Sequence, residues 1–333
     1  MNPFVVPPLG GSATGIGLRR RVPPKCGTTN VVFGWLPLLL FAFRALAAPS
    51  VAAGEIEAPA QLRVAVAQPL VVPGEVAKNI AAMEPLVAEA AQRGARLVVF
   101  SECGVTGYDL QGQGLRAAIA LGHPALDAIA QMARKNRIAI VAGFYERLGD
   151  TLHNTAGVFL PDGRRVIQRK HRIMDGEKAV GPVAAGPRQR ERFEIDGYCC
   201  AVLICADAGI PGIFAQLSQD GCDAVVLIAA GAGSQSFGFH QADLALSEKR
   251  NKYAQAAASC LSPESIGQCI QLDIAQVACN QAGWDAATGY FHPGGSSIVD
   301  RTGQVTAVLP PTLIFERLRP ELAIGSLTKR ASR

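Results

Sequence analysis

The amino-acid sequence predicts an α/β layered fold from residue 62 onward. Short apolar segments typical of buried strands alternate with segments of helical hydrophobic periodicity, which is the pattern of helices packed against sheets. The chain has 333 residues, 49% hydrophobic and 18% charged, so it can bury a large core. No linker or shift in composition divides residues 62 to 330, and we expect one domain there.

Each predicted element rests on its own hydrophobic pattern. Residues 62–68 alternate in the manner of a strand, whereas residues 77–91 repeat their apolar positions with helical spacing. In chain order, the predictions are a strand at 62–68, a helix at 77–91, a strand at 97–100, a helix at 125–134, a strand at 138–143, a helix at 212–219 and a strand at 224–228.

A β-hairpin is predicted in the middle of the chain. Residues 155–160 and 165–168 both read as strands, and Pro161, Asp162 and Gly163 lie between them. Asp-Gly is a common pair at a tight hairpin turn because both residues tolerate a positive φ. We therefore expect these two strands to pair antiparallel.

Residues 1–53 are predicted to be a leader that contains a signal peptide, with residues 54–333 as the folded domain. The uncharged run 31–43 follows basic residues and precedes the small-residue stretch 45–53, in the order of an export signal. The apolar run is shorter than the ~20 residues of a membrane-spanning helix. We expect export to the periplasm or the medium. An uncleaved anchor, which would be the protein's only membrane attachment, and an over-long N-terminus of a cytoplasmic protein remain alternatives.

The positive charge of the chain belongs to the leader. The formal net charge is +5, but five basic residues and no acidic residue precede position 49, so the remainder carries 27 of each sign. Binding to nucleic acid requires a basic surface that neutralises phosphates. This balance excludes a basic face of that kind, and no nucleic-acid partner is expected.

Several common site motifs are absent from the sequence. It has no phosphate-binding G-K-[ST] loop, no G-x-S-x-G nucleophile elbow, no H-E-x-x-H and no C-x-x-C pair. We expect no metal and no cofactor. The nine cysteines follow no disulfide framework, and four of them look like small buried apolar side chains, namely Cys199, Cys200, Cys222 and Cys279.

Three segments place a reactive side chain where a strand runs into a loop. Glu102, Lys170 and Cys205 occupy these positions, from which side chains can reach an active site. A cysteine attacks acyl groups as its thiolate, and a carboxylate such as Glu102 can take the proton. Lys170 and the backbone N–H of Ala206 are suited to stabilise the oxyanion of a tetrahedral intermediate.

The order of these segments resembles the nitrilase superfamily of carbon–nitrogen hydrolases, in its amidase-like branch. The similar segments come in family order and are residues 62–68, 101–108, 153–156 with 161–163, 169–170, 203–207, and 278–283 with 295–300. The resemblance implies a four-layer α-β-β-α sandwich and a homodimer or larger homo-oligomer. It also implies a Glu102–Lys170–Cys205 triad, with Glu177 as a second glutamate that positions Lys170 and substrate.

The resemblance implies hydrolysis of small amide or N-carbamoyl substrates through a cysteine thioester. Two features favour neutral or cationic amides: Asp207 follows the C-x-D pattern of amidase-type members, and Gly209 stands where many members have an arginine. Nitrile hydrolysis, acyl transfer on the same triad and a catalytically lapsed binding protein remain alternatives. A solvent-exposed loop position is the alternative for Glu177, and we expect Asn154 and Asn280 to be structural residues.

Overall fold

The structure is a computed structural model that describes residues 61–109, 111–231, 239–251, 261–285, 289–312 and 317–330. The predicted leader, residues 1–53, lies outside the described residues. Within the described residues, no helix is both long enough and apolar enough to cross a membrane.

The described residues form fifteen strands and six α-helices. The strands are β1 (Gln61–Gln68), β2 (Leu97–Val99), β3 (Ala139–Leu148), β4 (Thr151–Phe159), β5 (Arg165–Arg169), β6 (Arg192–Ile195), β7 (Tyr198–Ile204), β8 (Ala224–Ala229), β9 (Phe239–His240), β10 (Ala275–Asn280), β11 (Ala282–Asp285), β12 (Tyr290–Pro293), β13 (Ser296–Val299), β14 (Val305–Leu309) and β15 (Glu321–Thr328). The helices are α1 (Val76–Gln92), α2 (Gln113–Arg116), α3 (Pro124–Asn136), α4 (Asp175–Val180), α5 (Ile213–Gln219) and α6 (Pro263–Leu272).

Two six-stranded sheets dominate the architecture. The first has the order β15-β1-β2-β3-β4-β5, and the second has the order β14-β13-β10-β8-β7-β6. The central strands β1, β2 and β3 are parallel, as are β7, β8 and β10. The outer strands pair antiparallel, including the predicted hairpin β4–β5. A small three-stranded sheet, β11-β12-β9, completes the strand set.

The core consists of three apolar layers. The central layer contains residues of both sheets, for example Val64 and Val99 of the first sheet and Val202 and Val226 of the second. The outer face of the first sheet packs against α1 and α3, and the outer face of the second packs against α5. Since apolar side chains cover both faces of each sheet, the central strands read as nearly continuous apolar runs.

The layer order is helix, sheet, sheet, helix, which confirms the predicted four-layer α/β sandwich. Every predicted strand and helix is present, with ends that differ by a few residues. The largest difference is in β3, which is predicted at 138–143 but extends to Leu148. Its second half pairs antiparallel with β4, the next strand along the chain. Glu102 and Cys205 follow the parallel strands β2 and β7, whereas Lys170 follows the antiparallel strand β5.

Candidate active site

The structure brings Glu102, Lys170 and Glu177 into direct contact. Glu102 follows β2, Lys170 follows β5, and Glu177 lies in α4. The ammonium Nζ of Lys170 donates to Glu102 Oε1 at 2.7 Å and to Glu177 Oε2 at 2.7 Å. All three side chains are buried, with at most 1% of each exposed. A buried lysine is stable only when it is paired, and here two carboxylates share it.

Glu177 is not the exposed loop residue that one reading of the sequence suggested. The residue belongs to the short helix α4, and its carboxylate turns back to accept a hydrogen bond from Met174 N at 3.0 Å. The neighbouring residues are polar and suggest an exposed loop, but the Glu177 carboxylate is buried because it also pairs with Lys170. The expected contact between Glu177 and Lys170 is therefore present.

Asn154 connects the two glutamates, a role that the sequence did not reveal. Its Nδ2 donates to Glu102 Oε1 at 2.8 Å and to Glu177 Oε1 at 2.7 Å. Its Oδ1 accepts a hydrogen bond from the thiol of Cys103 at 3.6 Å. The Asn154 side chain therefore lies within the acidic cluster, where it holds the two carboxylates in place.

Cys205 begins a 3₁₀ turn directly after β7, in a left-handed backbone conformation with φ of +47°. Such a conformation is uncommon for a residue with a side chain and is often found at functional sites. Cys205 is 4% exposed, and its thiol interacts with the Glu102 carboxylate. Ala206 is the second residue of the turn, so its backbone N–H is not used by the turn's own i→i+3 hydrogen bonds.

Asp207 joins the turn after Cys205 to the segment after Lys170. Its buried carboxylate accepts hydrogen bonds from the backbone N–H groups of His171 at 3.1 Å and Arg172 at 2.8 Å. It also forms an ion pair with Arg190 Nη1 at 3.4 Å. The two loops that carry Lys170 and Cys205 are thus held in a fixed relation by one side chain.

A glycine in β3 allows the backbone at Glu102 to pass close to the sheet. A Cβ at Gly143 would lie 2.4 Å from Cys103 N and 2.8 Å from Glu102 Cα. Real Cβ atoms do not approach backbone atoms this closely, so position 143 admits only glycine without a shift of the loop. The position of Glu102 therefore depends on a residue 41 positions away in the sequence.

Burial and charge set the protonation states of the cluster. Burial raises the pKa of Glu102 above its usual range, although the Lys170 charge opposes this shift. Burial by itself would lower the pKa of Lys170, but the charges of Glu102 and Glu177 outweigh it and raise the pKa well above its ordinary value. Burial, reinforced by the Glu102 charge, raises the pKa of Cys205. The resting site therefore favours a neutral thiol beside a carboxylate of increased basicity.

The remaining cysteines mostly match their prediction as buried apolar side chains. Cys200, Cys222 and Cys279 are at most 1% exposed, as expected. Cys199 is different, because it is only partly buried at the start of β7. In the parts of the chain that the structure describes, no group of three or more His, Cys, Asp or Glu side chains is arranged to hold a metal ion.

Comparison with known proteins identifies the family of this site. A family model described as carbon-nitrogen hydrolase matches residues 63–312, which is most of the chain and includes every residue of the cluster. The chain belongs to the carbon–nitrogen hydrolase family. This result confirms the resemblance to the nitrilase superfamily seen in the sequence motifs.

Several curated relatives of this chain are named as nitrilases. An arylacetonitrilase of Macrophomina phaseolina is 33% identical over 97 residues, which cover 26% of this chain and 28% of that protein. A nitrilase of Pyrococcus abyssi is 31% identical over 151 residues, covering 44% and 57%. The chain thus spans about a quarter to a little over a half of the length of these relatives.

Solved structures with the same fold are amidases. An amidase from Nesterenkonia sp. superposes with a TM-score of 0.63 at 19% identity, covering 80% of this chain and 90% of that one. A mutant of the Nesterenkonia amidase in complex with butyramide superposes with a TM-score of 0.64 at 18% identity, covering 80% and 91%. These likenesses confirm the two sheets and their flanking helices as the fold of this family.

Proposed function

We propose that this protein hydrolyses non-peptide C–N bonds of small amides or N-carbamoyl compounds through a thioester on Cys205. The observation that carries the proposal is a buried ammonium held between two carboxylates, with a thiol facing one of them. Such a set can remove a proton, supply a nucleophile and stabilise an oxyanion without another group. Family membership supports the same reaction class.

In the proposed first step, Glu102 takes the proton of the Cys205 thiol and the thiolate attacks the amide carbon. The raised pKa of Glu102 favours this transfer because a more basic carboxylate is a better proton acceptor. The oxyanion that forms is bound by Lys170 Nζ and the N–H of Ala206. Protonated Glu102 then returns its proton to the leaving nitrogen, so that ammonia or an amine departs and a thioester remains.

In the second step, water hydrolyses the thioester. Glu102 accepts a proton from the water molecule, and the hydroxide attacks the thioester carbon at the same oxyanion site. The tetrahedral intermediate collapses, a carboxylic or carbamic acid leaves, and the proton returns to Cys205. The enzyme is then in its starting state, and no redox change has occurred.

Glu177, Asn154 and Asp207 act as positioning residues in this proposal. Glu177 and Asn154 fix the side chains of Lys170 and Glu102 by hydrogen bonds of 2.7 to 2.8 Å. Asp207 holds the loop after Lys170 against the turn after Cys205. A shift of about 1 Å between nucleophile and oxyanion donors is enough to lower the rate of an enzyme about 100-fold.

The thiol test uses acrylamide, which is found added to the active-site cysteine in a Glu→Gln mutant of the Nesterenkonia amidase. Purified protein is incubated with acrylamide, digested and examined by mass spectrometry for a modified Cys205. We expect modification of Cys205 in the wild type and no adduct in Cys205→Ser. Ammonia release from butyramide should be lost in Glu102→Gln, since the thiol then has no proton acceptor during turnover. Equal rates of ammonia release by Glu102→Gln and the wild type would remove Glu102 from the mechanism, and a catalytically lapsed protein would release no ammonia from any substrate.

The substrate test compares ammonia release from butyramide, an N-carbamoyl amine, an N-carbamoyl amino acid and the nitrile that matches butyramide. We expect the neutral amide or the carbamoyl amine to be preferred, because Gly209 cannot form the bidentate hydrogen bonds by which an arginine binds a carboxylate. The two substrate classes differ in where a proton is needed, namely on the leaving amine of an amide and on the nitrogen of a nitrile.

Nitrile hydrolysis is the second candidate because the curated relatives include arylacetonitrilases. A preference of about tenfold in kcat/KM for a nitrile, or ~1.4 kcal/mol in transition-state binding, would favour this candidate. Acyl transfer is tested by adding hydroxylamine, which would yield a hydroxamate faster than the acid forms. We also propose that the protein is a homo-oligomer, which sedimentation of the purified chain tests directly.

A further inference from the structure

A second pair of thiols lies outside the cluster around Cys205. Cys199 is the second residue of β7, and Cys222 lies two residues before β8. Their sulfur atoms are 3.8 Å apart, which is van der Waals contact. A sulfur–sulfur bond is about 2.05 Å long, so changes in side-chain torsion of modest size would bring the two atoms to bonding distance.

The backbone holds these two residues side by side. Asp223 N donates to Cys199 O at 2.7 Å, and Cys199 N donates to the Asp223 carboxylate at 2.8 Å. These bonds continue the parallel pairing of β7 with β8, which begins at Cys200 and Ala224. Cys222 is the residue directly before Asp223, so these hydrogen bonds hold the backbone at Cys222 next to Cys199.

We propose that Cys199 and Cys222 form a reversible disulfide and that this pair is the first site of oxidation in the described part of the chain. The proposal is independent of the hydrolase reaction, since neither thiol takes part in it. The proposed oxidant is a peroxide, because a thiolate reduces peroxides without a cofactor.

The two thiols differ in access and in acidity. Cys199 is partly exposed, whereas Cys222 is fully buried. The hydrogen bond with Cys222 lowers the pKa of the Cys199 thiol to about 7, and Arg192 contributes in the same direction, against burial and the charges of Asp223 and Glu194. An accessible, acidic thiol reacts first with peroxide, and a buried neighbour in contact resolves the product.

The chemistry balances in two steps. The Cys199 thiolate attacks one peroxide oxygen and breaks the O–O bond, which gives a sulfenic acid at Cys199 and, after protonation, one water molecule. The sulfur of Cys222 then attacks the sulfenic sulfur, loses its proton and expels a second water molecule. Two thiols are oxidised by two electrons in total, and one hydrogen peroxide is reduced to two water molecules.

Other cysteines are poorly placed for this reaction. Cys200 follows Cys199 directly but points to the opposite face of the strand, into the layer between the sheets, and burial raises its pKa. Cys205 is almost completely buried, and burial raises its pKa too. An oxidation that stops at Cys199 and Cys222 would therefore leave the Cys205 thiol reduced.

The test uses the full chain, reduced, freed of reductant and treated with one equivalent of hydrogen peroxide. Free thiols are then blocked with N-ethylmaleimide, and a digest made without reductant is examined by mass spectrometry. We expect a cross-linked peptide pair that joins Cys199 to Cys222, and a loss of two thiols per chain. Because the wild-type protein gives this result directly, it does not depend on the folding of any variant.

Matched variants separate the outcomes. Cys200→Ala and Cys205→Ala should keep the cross-link, whereas Cys222→Ser should lose it and accumulate a dimedone-reactive sulfenic acid at Cys199. The proposal would be overturned if Cys205 were oxidised before Cys199. It would also be overturned if Cys199 were oxidised to the sulfinic acid while Cys222 remained a free thiol that N-ethylmaleimide alkylates. Hydrolase activity is measured on the reduced protein before peroxide is added, so failure here is distinct from failure of the proposed function.

Discussion

Removal of the Lys170 ammonium is expected to destabilise the fold in a pH-dependent manner. In Lys170→Met the apolar stem remains, but the buried carboxylates of Glu102 and Glu177 lose the cation 2.7 Å from each of them. The removal of one partner from a buried ion pair costs about 3 to 5 kcal/mol, since the remaining charge is left without compensation. With about 2 to 4 °C of Tm per kcal/mol for a domain of this size class, the expected decrease is about 10 °C.

The sign of the pH dependence follows from the carboxyl groups. Burial already raises the pKa of Glu102, and the loss of the Lys170 charge, which opposes this shift, raises it further. Between the ordinary pKa of a glutamate and the raised value, the folded state binds more protons than the unfolded state, so stability falls as the pH rises. One such group changes the free energy of unfolding by up to about 1.4 kcal/mol per pH unit. Lys170→Met should therefore be more stable at pH 5 than at pH 8.

The assay is thermal unfolding followed by circular dichroism at pH 5, 6, 7 and 8. Lys178→Met is the matched control, because the Lys178 side chain is 60% exposed and forms its ion pair with the exposed Asp175. Its removal should change stability by less than about 0.5 kcal/mol. The double variant Lys170→Met with Glu177→Gln should recover part of the loss at pH 8. The buried network would be refuted if Lys170→Met unfolded within about 2 °C of the wild type at every pH. A shift of this size corresponds to roughly 1 kcal/mol or less.

Three further outcomes are expected. Cys205→Ser should retain almost no turnover, since a hydroxyl ionises far less readily than a thiol, and ammonia release measures this; near-wild-type turnover would exclude Cys205 as nucleophile. Gly143→Ala should cost about 1 to 3 kcal/mol in denaturant unfolding because its Cβ meets backbone at 2.4 Å, whereas Gly122→Ala, with no atom within 4 Å, should not. Intact mass from the native host should place the mature N-terminus near Ala48 or Gly54; a protein that retains Met1 in the cytosol would contradict export.

Much of the site was readable from the sequence because strand ends are local features. Glu102 and Cys205 each follow a short apolar run, and such a run is a strand wherever both of its faces are covered. The positions of Glu102, Lys170 and Cys205 at strand ends therefore needed no knowledge of the fold. Their contact in space did need it, since they come from two different sheets.

Asn154 shows where reasoning from a single segment fails. It lies inside β4, among residues that are buried throughout, and nothing in the local pattern separates a hydrogen-bonding partner from a packed side chain. The register of β4 with β5 and the fold of α4 decide that its amide meets Glu102 and Glu177. The sequence separations of 52 and 23 residues in these two contacts explain why no local pattern contains them.

The sequence by itself determined the layered α/β class, the order of its elements and the strand-end positions of Glu102, Lys170 and Cys205, because hydrophobic periodicity and strand ends are properties of short segments. Only the tertiary structure decided that Glu177 is buried against Lys170, that Gly143 underlies Glu102, and that Cys199 touches Cys222. Each of these contacts depends on the alignment of elements distant in the chain. That alignment is fixed by the packing of whole sheets and helices, to which every element contributes and which no single segment encodes.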